Sequence, residues 1–179
     1  LYLKDQDVKT YFAIVPDKNA WAFEAEGQNV INYSELYARM QAETEDFASY
    51  IELDDLLDME SYYKTDAHWR QEKIYPVAQR IAEAMGCELT AEYDKAVAND
   101  SFIGAYGDLA MEPEELIYLT NEALDGCIVT DYASEDERYV TTGVYTIASA
   151  ASEDGEGYDM FLDGAKSLLT IENPASTTD

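Results

Sequence analysis

Two rhythms of apolar and polar positions alternate along the chain. Val8-Lys9-Thr10-Tyr11-Phe12-Ala13-Ile14-Val15 is dense in β-branched and aromatic residues and ends at Pro16-Asp17-Lys18-Asn19. That pattern predicts a buried strand running out of its sheet into a loop. Asn32 or Ser34 caps a helix expected through about Phe47, with Leu36, Tyr37, Met40 and Phe47 roughly on one face. A short strand at Tyr50-Ile51-Glu52-Leu53 and a helical turn around Asp54 to Met59 follow. After Trp69, Ile74, Val77, Ala78, Ile81, Ala82 and Met85 recur at three- and four-residue steps, so a second helix is expected to about Met85. Gly86 is its natural stop, and Pro76 should kink it or delay its regular start. Strand, helix and strand in this order predict a parallel sheet with crossover helices, an α/β fold.

From Glu88 onward the rhythm changes. Ser101 to Gly107 is a glycine–aromatic loop, and Leu116-Ile117-Tyr118-Leu119, Gly126 to Thr130 and Arg138 to Thr142 have the composition of short strands. The stretch 88–157 is therefore expected to be a β-rich insertion, a lid beside an α/β core formed by 1–87 and 158–179 within one domain. Residues 152–157 form a loop, Tyr158 to Leu162 a helical turn, and Ser167 to Glu172 a core strand.

Charge narrows the function. The 179 residues carry 11 Lys and Arg against 38 Asp and Glu, a formal −27, which repels phosphate backbones and anionic headgroups and argues against nucleic-acid or membrane-surface binding. A 47% hydrophobic content with 15 tyrosines still supports a folded core. No apolar run is long enough to span a bilayer, so membrane anchoring is expected only through a segment outside this chain. No signal peptide is present; the chain opens at Leu1, and an upstream targeting segment is expected. Cys87 and Cys127 form either one bridge or two buried thiols, thiols being favoured.

The chemistry concentrates at Tyr62-Tyr63-Lys64-Thr65-Asp66-Ala67-His68-Trp69, which holds the sole histidine. Histidine titrates near neutral pH, and a nearby aspartate is the usual partner that orients an imidazole. On spacing alone Asp66 and His68 are a weak signal, because a solitary histidine is more often structural. Zinc is disfavoured, since no second histidine is available to make three protein ligands, and no acidic run has calcium-loop spacing; neither metal nor cofactor is expected.

The Asp-x-His-Trp core resembles the DHHW family of bacterial extracytoplasmic proteins, which is similar to the SGNH-hydrolase-like domains of alginate O-acetylation proteins. Tyr11 to Asn19 is similar to that family's strand and Pro-x-Lys turn. Phe102 to Tyr106 with Leu116 to Asn121 resembles its glycine–aromatic loop and following strand, and Tyr158 to Pro174 the segment before its final core strand. The resemblance implies a three-layer SGNH-like sandwich with a mainly parallel sheet, and an acyl esterase or O-acetyltransferase acting on a cell-surface or extracellular glycan. In it His68 is the base of a Ser–His–Asp triad and Asp66 its orienter. Tyr62 and Tyr63, amphipathic residues beside the pair, are candidates to stack on a sugar, with packing the default. Lys18, in the loop at the carboxyl end of a strand, is a candidate substrate contact, with a solvated turn the alternative.

There are two departures. Ala67 stands where the family's first histidine would be, and the strand and Asp-Ser-Phe-like turn that carry the serine would fall beyond residue 179. Ser101, in Asn99-Asp100-Ser101-Phe102, imitates that turn but lacks the strand that feeds a nucleophile elbow. Oxyanion donors would come from the loop after Val15 or from the serine turn. The alternative is a non-catalytic glycan-binding or assembly domain of the cell envelope.

Overall fold

The computed structural model describes residues 8–22, 31–107, 111–132, 139–152 and 156–175. The chain is mixed α/β and divides into two compact units, one of residues 1–62 and 73–90, the other of 63–72 and 91–179.

In the first unit, β1 (Tyr11–Ala13) pairs in parallel with β2 (Ser49–Ile51), Phe12 opposite Tyr50. The short α1 (Asn19–Ala22) and the longer α2 (Tyr33–Thr44) lie between them in the chain. The strand, helix and strand predicted from the pattern are all present, but β1 covers only Tyr11–Ala13 of the expected 8–15 and is half-buried, with Val8 and Val15 exposed, and α2 ends three residues earlier than the periodicity suggests. Asn32 caps α2, its side chain accepting from the Glu35 N–H at 3.1 Å, and Glu35 puts a carboxylate in the positively polarised first turn.

A 3₁₀ turn at Gln71–Lys73 precedes α3 (Tyr75–Ala84), which belongs to the first unit. Pro76 sits in the first turn of α3, where its missing N–H costs nothing; it delays the helix rather than kinking it. Gly86, at φ +79°, ends it in the left-handed region that favours glycine. Both α2 and α3 pack on β2, and Ile51, Leu53, Leu57 and Val77 form the buried interior.

The second unit is built on antiparallel pairs. β3 (Asp94–Phe102) pairs with β4 (Glu114–Thr120), with register shifts after Val97 and after Asn99. β5 (Ile128–Asp131) lies between β6 (Tyr139–Thr142) and β7 (Leu169–Glu172), antiparallel to both. Among the described residues only β1 and β2 form a parallel pair, joined by the long crossover that such a pair needs, while the other two sheets are antiparallel, which corrects the expectation of a mainly parallel sheet.

The expected core strand at 167–172 is an edge strand: β7 has a single neighbour, and Thr170, Ile171 and Glu172 are exposed. Tyr63, Phe102, Leu116, Ala150 and Met160 form one buried cluster, and Cys127, Val129 and Val144 another. Both cysteines are free thiols, Cys87 exposed and Cys127 buried. Residues 153–155 of the expected 152–157 loop, and Arg138 of the expected 138–142 strand, lie outside the described residues. Among the described residues no helix is long and apolar enough to cross a membrane.

Candidate active site

Residues 63–72 form no helix or strand except the terminal 3₁₀ turn, so tertiary bonds must hold this segment in place. The Tyr63 N–H donates to the His68 carbonyl at 3.1 Å and closes the segment on itself. Thr65 is its fully buried anchor. Its N–H and hydroxyl both donate to Glu114 Oε1 on β4, at 2.9 and 3.1 Å, and its hydroxyl oxygen accepts from the Gly104 N–H at 3.0 Å. Its carbonyl accepts from the Tyr106 N–H at 2.9 Å. Arg70 completes the clamp by donating to Glu114 Oε2 and laying its guanidinium over the Tyr63 ring, 4.5 Å from the centroid.

Asp66 is held from three directions. Oδ2 accepts from the Ala105 N–H at 2.9 Å, while Oδ1 accepts from the His68 N–H at 2.9 Å and meets His68 Nδ1 at 2.5 Å. Its side chain is 3% exposed, that of His68 55%. Burial pushes the Asp66 carboxyl up, yet the bonds from the His68 ring, Ala105 and the His68 backbone together hold it below its ordinary value. The same bond to Asp66 is the main reason that the His68 pKa is raised; burial opposes it, and the charges of Asp66 and Asp159 add to it.

Gly104 has to be glycine. A Cβ there would lie 2.3 Å from Asp66 Oδ2 and 2.4 Å from Asp66 Cβ. The two N–H groups of this loop, on Gly104 and Ala105, are committed to Thr65 and Asp66; they orient the acid and are not oxyanion donors.

The imidazole stacks flat on Tyr158, with centroids 4.0 Å apart and an interplanar angle of 10°. Burial above all pushes the Tyr158 phenol up, with the charges of Asp66 and Glu72 adding to it and the neighbouring Trp69 indole opposing it, so it stays neutral. Tyr158 also meets Tyr63 edge-on at 6.0 Å and Phe161 at 4.7 Å, so the wall behind His68 is itself packed. With Nδ1–H donating to Asp66, the neutral ring carries its lone pair on Nε2. An imidazole held in this way has one acceptor nitrogen, Nε2, without a partner among the described residues.

No family model, curated protein or solved structure matches the chain. The geometry therefore carries the functional argument alone.

The structure brings Asp66 and His68 together and treats the other sequence candidates differently. Tyr63 is completely buried, edge-on to Phe102 at 5.1 Å, and Tyr62 is 4% exposed, its hydroxyl donating to the Pro16 carbonyl. Both rings are consumed by packing, which corrects the expectation that they stack on a sugar. Lys18 is half-buried in the turn before α1, in the first unit, whereas Asp66 and His68 belong to the second. Ser101 lies in β3, which corrects the expectation that no strand feeds it, and its hydroxyl donates to Asp100 Oδ1 at 2.9 Å. No group of three or more His, Cys, Asp or Glu among the described residues could hold a metal ion.

Sequence reasoning missed Thr65, Glu114, Arg70, Gly104 and Tyr158 as the pieces that build the site. The glycine–aromatic loop at 101–107 was a signal for Gly104 alone; the other four carried none.

Proposed function

We propose that Asp66 and His68 are the orienter and general base of a Ser–His–Asp acyl-transfer site, in an SGNH-like protein related to the DHHW family. The protein would be an extracytoplasmic esterase or O-acetyltransferase acting on a glycan, its serine coming from outside the described residues. The observation that supports this best is the state of the His68 ring: Nδ1 fixed by a buried carboxylate, one face stacked on Tyr158, and Nε2 open.

In the proposed reaction His68 Nε2 takes the serine proton as the serine oxygen attacks the acyl carbonyl. Asp66 stabilises the imidazolium that results. Collapse of the tetrahedral adduct breaks the ester bond, and the same proton passes from Nε2 to the departing alkoxide. Water, or a second glycan hydroxyl, then takes the acyl group by the reverse sequence.

The test is hydrolysis of 4-nitrophenyl acetate by the full-length protein. His68→Ala should lower kcat/KM by about 10²-fold or more. Asp66→Asn should lower it as well, while leaving KM nearly unchanged. Because the His68 pKa is raised, the acid limb of the profile should lie above the ordinary 6.5. An unchanged rate in His68→Ala sinks the triad.

One observation favours the second reading, a glycan-binding or assembly domain of the cell envelope without catalysis: among the described residues no serine hydroxyl meets His68, and Ser101 is turned to Asp100. Absence of hydrolysis by full-length protein, together with retention on an immobilised glycan, would support it.

A further inference from the structure

The first unit holds a pocket that the Asp66–His68 chemistry does not use. Its volume is about 480 Å³, within the range of small-molecule sites. Trp21, Tyr33 and Tyr37 supply aromatic surface, Asn19 a carboxamide and Asp54 a carboxylate, and no lining residue is basic. The Tyr33 and Tyr37 rings are inclined at 51° with centroids 6.1 Å apart, so they form two sides of a corner rather than a flat stack. Trp21 is braced from behind by Tyr62, at 5.6 Å and 43°. Tyr33 is fixed by its hydroxyl, which donates to Asp17 Oδ2 at 2.9 Å.

Two polar groups in this pocket lack partners. Among the described residues the half-buried Asp54 carboxylate makes no hydrogen bond or ion pair, and the buried Tyr37 hydroxyl has no hydrogen-bond partner. Burial first, then the charge of Asp54, pushes the Tyr37 phenol up to about 12, so it remains a neutral ring at physiological pH. A buried hydroxyl without a partner is costly, whereas the Asp54 carboxylate, whose oxygens are not buried, is met by solvent and stays available to a cation.

We propose that this pocket binds a compact organic ammonium ion, its positive charge set against the Trp21, Tyr33 and Tyr37 rings and paired with Asp54. Aromatic faces attract cations through their quadrupole, and the attraction strengthens as the cation is desolvated. An unpaired carboxylate at the same place supplies the counter-charge. The formal −27 of the chain raises the local concentration of cations and works against any anionic occupant. Every group needed lies in the first unit, so the inference does not depend on the acyl-transfer reading.

The test is calorimetric titration of the whole chain with choline chloride and, in parallel, with 3,3-dimethylbutan-1-ol, its uncharged isostere. Saturable choline binding is expected with Kd on the order of 1 mM or tighter. The isostere should bind about tenfold more weakly or not at all. Asp54→Asn and Trp21→Leu should each weaken choline about tenfold. The isostere comparison needs no substitution, so it decides the matter even if a variant fails to fold. Equal binding of the two compounds would show an apolar site or one for neutral polyols, and overturns the proposal. So does an absence of saturation by about 50 mM choline, or an Asp54→Asn protein that binds choline as tightly as the parent.

Discussion

Gly104→Ala is the substitution that most directly probes how the candidate site is held. The added methyl would lie 2.3 Å from Asp66 Oδ2 and 2.4 Å from Asp66 Cβ, where ordinary contact begins near 3.4 Å. Asp66 is buried and held by two backbone N–H groups and the His68 ring, so relief requires a relative shift on the order of 1 Å. Such a shift stretches the 2.9 Å bond from Ala105 N–H to Asp66 and the 3.0 Å bond from Gly104 N–H to Thr65 past useful geometry. Losing a hydrogen bond to a charged group costs about 1.5–3 kcal/mol and a neutral one about 1 kcal/mol. Partial relaxation leaves an expected loss of about 2–4 kcal/mol, a large part of the stability of a typical domain.

Urea denaturation measures that loss. A second readout comes from His68, the sole histidine, whose ring resonance can be titrated by NMR without assignment. Displacing Asp66 removes the bond that raises the His68 pKa, so the titration should move down toward the ordinary 6.5. A loss below about 0.5 kcal/mol with an unchanged His68 titration would refute the account of Gly104 as the spacer that seats Asp66.

Stability should depend on pH through the same pair. The lowered Asp66 pKa contributes stability that is present above the ordinary 3.8 and is lost as pH falls through the lower folded value. The raised His68 pKa contributes stability that is complete below the ordinary 6.5 and is lost as pH rises through the higher folded value. Urea midpoints should therefore be most favoured between these limits, and Asp66→Asn should flatten both flanks; a variant that keeps the parental pH slope would contradict the pairing. Arg70→Met leaves the Glu114 carboxylate, 10% exposed, without its cation, while Thr65 still donates to it. We expect a loss of about 2–4 kcal/mol in the same assay, and a neutral outcome would remove Arg70 from the clamp.

What could be read in advance follows the range of the interactions. The helix at Tyr33–Thr44 and its Asn32 cap, the late start of Tyr75–Ala84 behind Pro76 and the stop at Gly86 depend on neighbours within a few residues, and the sequence carries them openly. The nine-residue strand Asp94–Phe102 was hidden because Asp94-Lys95-Ala96-Val97-Ala98-Asn99-Asp100-Ser101 has one β-branched residue. That strand forms by pairing with Glu114–Thr120 rather than by propensity. The same limit applies to the site. Asp66 and His68 are two positions apart and could be paired on paper, but Gly104 and Glu114 hold the neighbouring Thr65 across 39 and 49 residues and Tyr158 stacks on His68 across 90, which no local pattern encodes. Tyr62 and Tyr63 show the converse: beside the pair in sequence they suggested substrate contacts, and folding turned both inward.

The strong acidity of the chain raises the question of how a buried carboxylate stays ionised in it. A formal −27 should by itself favour protonation of Asp66. Exposed charges, however, are screened over about 8 Å at physiological ionic strength. The Ala105 N–H, the His68 N–H and the His68 ring all lie within 3 Å of Asp66, inside any screening distance. Local donors therefore decide the state of Asp66, and the distant carboxylates act mainly on solubility and on what approaches from solvent. His68 stands at the boundary between these regimes. Its Nδ1 side belongs to the buried network, while the side chain as a whole is 55% exposed and feels the charge of Asp159. The inner side fixes tautomer and orientation, and under the proposed function the outer side would exchange the proton. That division is what distinguishes His68 from a histidine merely satisfied in the core.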